Sequence, residues 1–587
     1  MQAAALTTVF HQGKHQEVVN ELLGNTTHDA ETLPLLIGSL CFLGRPEEAE
    51  SFFAKRADRK TLAACRFYLG VGFYRVSAYE KGKRYFHSNL KEFKNSTNPL
   101  TQFYVAQGMG FSRYLECHYG IASRWAFKAL LSSNEAHFLY GRYLASDLLG
   151  YTKTLSGKIS EGLKFLKESR VLAEKLGSGA WLDAATAAIL CYEAQFGLKP
   201  KTILKELDRC YSKLNEDLTY LKSGVLLEKA RQLTLRGRIE DSNEVLNNAF
   251  RLIYSSKHKR QGVLLNLRLS ENRFLRGEHY EALNLIRSTH GELDPKVDQQ
   301  LFLSTKGMEK KLCNALSLPF FCKEYDSLTL LRGNSVAQRI FNRENGKFSR
   351  GPSEDKIAEL LDQVARSKGA SIDEIIQSDY LGFLFPLLPK SNAKIRIFPD
   401  LSRNFILVLE NGNLKLIKKN HSLQINQLLK VLSKGSASKA VMVKQLWGYD
   451  YHPLRHDPLL YRLIGRTKKH LEIESTWLET TPRGYQLSQD ISILFVNAES
   501  TPSLPEPNEI DWVPEPLTEL NHRQLKILQI LKKKDFLDVQ EIQKSFKVSP
   551  ITASRDLSDL FKKGKLFRCG KARATKYGLP NSNQMEQ

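Results

Sequence analysis

Over residues 1–300 apolar side chains recur every three or four positions, with almost no strict alternation and few prolines, which predicts amphipathic helices packed on one another. The pattern changes at Lys394. The segment IRIFPDLSRNFILVLENGNLKLIKKN alternates apolar and polar residues and holds Glu410-Asn411-Gly412-Asn413, predicting a small antiparallel sheet with a tight hairpin. Two short helices at 422–435 and 439–448 follow, then a longer basic helix from about His456 to Leu471. That stretch closes with WLETTPRGYQL (477–487), two short strands around Pro482-Arg483-Gly484. From Thr518 the pattern predicts helices over Asn521–Lys532, Val539–Phe546 and Pro550–Lys563, the last capped by Ser549 with proline at its first position. Two strands, LFRCG and ATKYGL, surround the loop Gly570–Arg573. Between these regions, 342–355 reads as an exposed loop, and Asp355–Ser367 as a helix with Ile357, Leu360, Leu361 and Val364 on one face. Residues 499–517 hold five prolines and five acids, an extended connector.

The helical half is periodic. A short turn followed by an amphipathic helix recurs at Gly13, Gly44, Ser77, Cys117, Gly157, Gly197, Gly237 and Gly277, in steps of 31, 33 and then 40 five times over. Small residues keep step with these turns: Gly70, Gly110 and Gly150 stand seven positions before three of them. Ala49, Gly82, Ala122, Gly162, Ser242 and Ala282 stand five positions after six of them. Two helices of a hairpin approach closely where neither carries a bulky side chain, so these are the expected crossing points. The arrangement resembles the tetratricopeptide repeat family over roughly residues 1–290, with longer helices absorbing the excess over that family's period of about 34 residues. The resemblance implies a solenoid with a concave groove for a protein or peptide partner, or a surface for self-association.

Composition places the chain among ordinary globular proteins, with 42% hydrophobic and 25% charged residues. Neither a run of about 18 apolar residues nor a secretory leader is found, so a cytoplasmic, nucleoid-associated protein without a membrane partner is expected. The eight scattered cysteines include no C-x-x-C pair and read as buried thiols, not a zinc site. The net charge of +23 is unevenly spread. Residues 1–389 have 54 basic and 43 acidic side chains, residues 390–487 have 17 and 7, and residues 518–579 have 15 and 6. Residues 488–517 have no basic residue and six acids. Two dense cationic blocks of this size suit double-stranded DNA, whose phosphates release counterions when neutralised.

In the first block, Leu446-Trp447-Gly448, the basic third helix and Thr481–Leu487 (TPRGYQL) resemble the DNA-binding domain of the OmpR/PhoB response regulators; the second wing glycine of that family is missing. Arg462, Arg466 and Lys469 share one helical stripe, with Leu460, Leu463 and Ile464 opposite. Arg466 aligns with a family arginine and is the candidate for a base contact, while Arg483 at the wing tip faces the minor groove or phosphate. In the second block, VSPITASRDLSDL (Val548–Leu560) and the wing KGKLFRCGKARATKY resemble DeoR-type regulators and the winged helix appended to some Fic proteins. There Thr552, Ser554 and Arg555 would face the groove, Lys571, Arg573 and Lys576 would track phosphates, and Asp556 would orient Arg555 or cap locally.

P-loop, G-x-S-x-G, H-E-x-x-H, zinc-pair and dinucleotide patterns are absent, and no enzyme and no cofactor are expected. The expected fold is mainly α: a helical-hairpin solenoid followed by two small α+β winged-helix domains. The expected boundaries are a repeat array at 1–315, a helical linker region at 316–391, winged helices at 392–490 and 518–580, and an acidic linker at 491–517 between them. The expected function is that of a bacterial, sequence-specific transcription regulator whose array senses a partner. A scaffold whose winged helices bind proteins, and a nucleoid-type binder of low sequence preference, are the alternatives.

Overall fold

The computed structural model describes the chain except residues 1–2, 24–30, 57–60, 215–217, 257–258, 294–296, 298, 321, 323–353, 368–371, 401–404, 418–421, 474–475, 483, 497–521, 533, 547, 571–574 and 581–587. Two compact units are present: residues 1–387 with 412–414, and residues 388–411 with 415–587. The fold is mainly α, an array of helical hairpins followed by small sheet-containing modules.

The array begins with α1 (Ala3–His11), α2 (His15–Leu23), α3 (Thr32–Phe42), α4 (Pro46–Arg56), α5 (Leu62–Arg75) and α6 (Tyr79–Phe93). It continues through α7 (Pro99–Leu115), α8 (Tyr119–Glu135), α9 (Leu139–Leu155), α10 (Ile159–Lys175), α11 (Gly179–Gln195) and α12 (Ile203–Lys213). It ends with α13 (Thr219–Leu235), α14 (Ile239–Ser256), α15 (Lys259–Arg276), α16 (His279–Arg287) and α17 (Gln299–Ala315). The period of 40 has a simple origin. Helices α7 to α11 each have 17 residues and start 20 apart, so a hairpin with its turns takes 40. The turns close in the same way. At Gly157 (φ +92°) the N–H donates to the Thr154 carbonyl at 3.0 Å, and the Lys158 N–H donates to the Lys153 carbonyl at 3.0 Å. That double closure needs one residue in the left-handed region, and all eight turn positions from Gly13 to Gly277 adopt positive φ, Ser77 and Cys117 included.

The small residues flanking the turns sit where the paired helices meet. A Cβ on Gly162 would lie 2.5 Å from the Thr154 nitrogen and 2.7 Å from the Gly150 carbonyl oxygen, and one on Gly82 would lie 2.8 Å from that of Gly70. Beyond such neighbour contacts, the first turn packs on helices far along the chain. Phe10 meets Tyr68 and Tyr140 edge to face, and His11 stacks on Tyr140 at 4.7 Å. The Trp181 indole N–H donates to the His11 carbonyl at 2.8 Å, and the Ser178 hydroxyl donates to the Gln12 carbonyl at 2.9 Å. Phe10 and Tyr140 are fully buried.

Part of the region expected as a linker, 316–391, also belongs to the first unit. It holds α18 (Lys356–Ser367), α19 (Ile372–Ser378) and a 3-10 turn at Leu381–Leu387. Ile357 packs over Gly197, the Arg236 guanidinium lies 5.1 Å above the Tyr380 ring, and Gly382 fits against the Thr234 carbonyl, where no side chain could.

In the second unit, β1 (Ile395–Asp400), β2 (Phe405–Glu410) and β3 (Asn413–Ile417, of which residues 415–417 belong to this unit) form an antiparallel sheet. Asn411 and Gly412 both adopt positive φ at the predicted hairpin. Then come α20 (Leu423–Leu432), β4 (Ala437–Ser438), α21 (Lys439–Trp447), α22 (Pro453–Leu471), β5 (Leu478–Thr480), β6 (Gly484–Leu487) and β7 (Ile491–Ile493). Strand β7 pairs parallel with β1, so ordered structure continues past residue 490, where an acidic linker was expected. Ile491 and Ile493 are buried on alternate positions, a short strand signal hidden beside an acidic, proline-rich segment. The C-terminal elements are α23 (His522–Leu531), α24 (Val539–Phe546), α25 (Pro550–Lys562), β8 (Phe567–Cys569) and β9 (Lys576–Gly578).

Gly162→Ala is expected to destabilise the array by about 1–3 kcal/mol, because the new methyl meets backbone rather than a yielding side chain; a urea titration followed by circular dichroism measures it. The first turn carries a pH dependence as well. Burial holds His11 down to about 4, and burial aided by the Arg75 charge holds His15 down to about 3. Below about pH 6.5 the unfolded chain therefore binds more protons than the folded one, so stability is full above that pH. It falls toward pH 4 by up to about 1.4 kcal/mol per pH unit for each ring. Urea midpoints at pH 7 and pH 5 report this loss, which His15→Gln is expected to reduce.

Candidate nucleic-acid interface

In the C-terminal module Ser549 caps α25, accepting from the Thr552 N–H at 3.2 Å, and Pro550 opens the helix. Ala553, Leu557 and Leu560 face Ile527 of α23 and Ile542 of α24, all fully buried. This fixes the opposite face outward: Ser554 and Arg555 are exposed, beside Ile551. Thr552 is half-buried, its hydroxyl 2.9 Å from that of Ser549, so it serves the cap. Asp556 does not orient Arg555. It is buried, and its carboxylate takes the Arg523 Nε at 2.8 Å, binding α25 to α23. Beside it the Gln524 amide donates to Asp559 at 2.8 Å. Behind the helices, Leu537 exchanges backbone hydrogen bonds with Tyr577 at 2.8 and 2.9 Å, adding a third segment to the β8–β9 wing. Lys576 is exposed on the wing; Lys571 and Arg573 lie outside the described residues. Two cations that sequence reasoning passed over join it: Lys565 is exposed, and exposed Arg568 sits 5.5 Å over the Phe561 ring. Cys569 is also exposed there, unlike the buried thiols expected of the chain.

In the preceding module, Ser438 caps α21 and Gly448 ends it in the left-handed region. Trp447 packs against the core. Helix α22 starts at Pro453, earlier than the basic run implied, because proline suits a first helical position. Leu460 and Leu463 are buried and Ile464 packs partly against them, leaving Arg462, Arg466 and Lys469 exposed. They are not equally free. The Arg466 guanidinium donates to the Ser422 hydroxyl at 3.1 Å and to the Gln424 side-chain Oε1 at 3.2 Å, bracing the start of α20. Asp457 lies half-buried, between Lys439 at 2.8 Å and the Tyr451 hydroxyl at 2.7 Å, which hold its carboxyl below the usual range. The sheet β4-β6-β5 forms the wing; a Cβ on Gly484 would fall 2.0 Å from the Ala437 oxygen, so that glycine serves strand pairing. Arg483 lies outside the described residues. Leu454 and Tyr461, 88% and 65% exposed on α22, were not singled out by charge-based reasoning.

Helix, short turn, helix and wing define a winged helix-turn-helix in the C-terminal module. Residues 523–573 match the DeoR-like helix-turn-helix domain family. The match supports, in general terms, a DNA-binding transcription regulator. No curated protein matches the chain.

Within the first unit the array borders a partly open cavity of about 2250 Å³, lined by Phe42, Arg75, Tyr143, Trp181, Tyr192 and Arg231 among others. Arg231 pairs with Glu228 at 3.0 Å and Arg268 with Glu271 at 2.7 Å. The Arg75 guanidinium donates to the Phe42 carbonyl at 3.2 Å and lies 4.7 Å over its ring. Burial pushes the Asp147 carboxyl up to about 7, against the opposing effect of hydrogen bonds from Tyr151 and Ser169. Among the described residues no group of three or more His, Cys, Asp or Glu side chains could hold a metal ion, and no helix is long and apolar enough to cross a membrane.

Asp556→Ala is expected to lower the stability of the C-terminal module by about 1–3 kcal/mol, since it leaves a half-buried guanidinium without its carboxylate. Thermal unfolding of the full chain, followed by hydrogen exchange on residues 522–579, measures it.

Proposed function

We propose that this protein is a sequence-specific DNA-binding transcription regulator, with two winged-helix readers governed by a helical receiver. The observation that carries the reading is the DeoR-like domain match over a helix whose outward face presents Ser554 and Arg555. Arg555 then reaches base edges, while Lys565, Arg568 and Lys576 neutralise phosphates. Lys571 and Arg573 complete that phosphate track.

Residues 392–490 are the second reader, of OmpR/PhoB type. The order of sheet, three helices and hairpin supports this, as does an α22 face bearing Arg462 and Lys469. Arg466, tied to Ser422 and Gln424 through one nitrogen, positions the helix and offers its remaining N–H groups to DNA. Arg483, which falls between β5 and β6 in the sequence, adds a contact to the minor groove or to phosphate. The tetratricopeptide-like array receives a protein or peptide in its aromatic-lined cavity, and its occupancy sets the activity of the readers. The chain acts by binding, not by catalysis, on the nucleoid in the cytoplasm.

Capture of sheared genomic DNA by the full chain at near-physiological salt, with sequencing of the bound fragments, tests the proposal. Sharp enrichment at a few sites is the expected result. Uniform, salt-sensitive recovery would make the protein a nucleoid-type binder, and no recovery would leave the protein-scaffold reading. On an enriched fragment, Arg555→Ala is expected to cost about 1–3 kcal/mol of specific affinity, with a smaller loss on random DNA. Equal losses on both would remove Arg555 as a base reader.

A further inference from the structure

Helix α22 contains a glycine that its own fold does not use. Gly465 is residue 13 of the 19 in the helix, where glycine is disfavoured relative to alanine because it must give up more backbone freedom. Several helical glycines of the array have a packing reason: a Cβ on Gly70, Gly150 or Gly162 would come within 2.4–2.5 Å of another atom, although one on Gly224 would meet only the Gln261 Nε2 at 3.6 Å. A Cβ on Gly465 would meet nothing within 4 Å. Gly120, Gly179 and Gly262 also face open space, but they lie in the first turns of α8, α11 and α15, where the chain is only entering the helix.

Its surroundings point outward. Tyr461, Arg462 and Lys469, three or four residues away on the same stripe, are all exposed, and so is Pro458 one turn further. Within the helix the stripe carries no acid; Asp457 is turned aside to Lys439 and Tyr451, and exposed Glu472 is the C-cap just past the end. A cationic face with a gap at its centre is complementary to an anionic surface that must come very close.

We infer that Gly465 is the contact notch of α22, the point at which duplex DNA comes nearest to the helix backbone. The inference rests on the reading of α22 as a DNA-reading helix. With no side chain at 465, the helix axis settles deeper toward the base edges, and Tyr461, Arg462 and Lys469 reach past the rim of the notch on either side. A methyl group there lifts the helix and lengthens every contact the stripe makes. Gly465 is therefore a positioning residue, bonding to nothing and setting the depth at which its neighbours act.

The experiment compares full-length wild type, Gly465→Ala, Gly465→Leu and Arg462→Ala on a genomic fragment enriched by the wild type, with thermal unfolding measured in parallel. The expected result is an unchanged or higher unfolding temperature for Gly465→Ala, together with an affinity loss of about tenfold that deepens in Gly465→Leu as the obstruction grows. Arg462→Ala also weakens binding. If Arg462→Ala weakens binding while both Gly465 variants bind as wild type, the notch is refuted and the DNA-reading role of α22 stands. If none of the three weakens binding, α22 does not lie on DNA, and the reading beneath the inference falls with it. A lower unfolding temperature in Gly465→Ala would mean a packing role within the fold and would equally overturn the inference.

Discussion

The packing of Phe10 and His11 against Tyr140 and Trp181 is the contact on which the shape of the first unit depends. A stack of helical hairpins is quasi-one-dimensional, each hairpin touching its neighbours, and such a stack has no intrinsic reason to enclose space. Here the first turn meets residues about 130 to 170 positions further along, so the curvature accumulated over four hairpins is held by direct contact. A buried phenylalanine contributes roughly 1.5–3 kcal/mol relative to an exposed one, and the indole and hydroxyl hydrogen bonds add direction to that burial. Closure gives the concave side a walled, partly open cavity, with the half-buried side chains of Asp147 and Arg231 on its border. Partial burial makes those two charges costly unless paired, as Arg231 is with Glu228.

The winged-helix modules solve a different problem: holding cations outward on helices that must also pack. In α25 the division is sharp. Ala553, Asp556, Leu557 and Leu560 face inward, and the acid among them is matched by Arg523 rather than left to repel DNA. In α22 the same end is reached with Arg466 as the brace and Arg462 and Lys469 as the free cations. Charged residues on α22 and α25 therefore divide between those that set the position of the helix and those that stay exposed to solvent. The net charge of each block registers their sum, and the internal ion pairs reveal the division.

Much of this architecture was legible in the order of residues. Turn positions, helix lengths and the small residues at hairpin crossings follow from local rules: a left-handed residue closes a helix, and a bulky side chain keeps two backbones apart. Each is decided within about 20 residues, so a period of 40 in sequence became a hairpin of two 17-residue helices. The Ser549-Pro550 start of α25 and the Asn411-Gly412 hairpin were readable for the same reason. Strand β7 was hidden because its evidence was two isoleucines whose partner, β1, lies almost 100 residues earlier.

What the tertiary structure alone decided is the use to which identical residue types are put. By itself the sequence determined the class of fold and the stripe on which cations stand, because helical periodicity assigns a face to every position. It could not determine that Arg466 is engaged and Arg462 free, that Asp556 belongs to Arg523, or that His11 lies under Tyr140. Nor could it separate Gly162, which a neighbouring backbone requires, from Gly465, which nothing in the fold requires. Those distinctions depend on which atoms from distant segments occupy the space beside a residue, and that space is set by the summed packing of many helices.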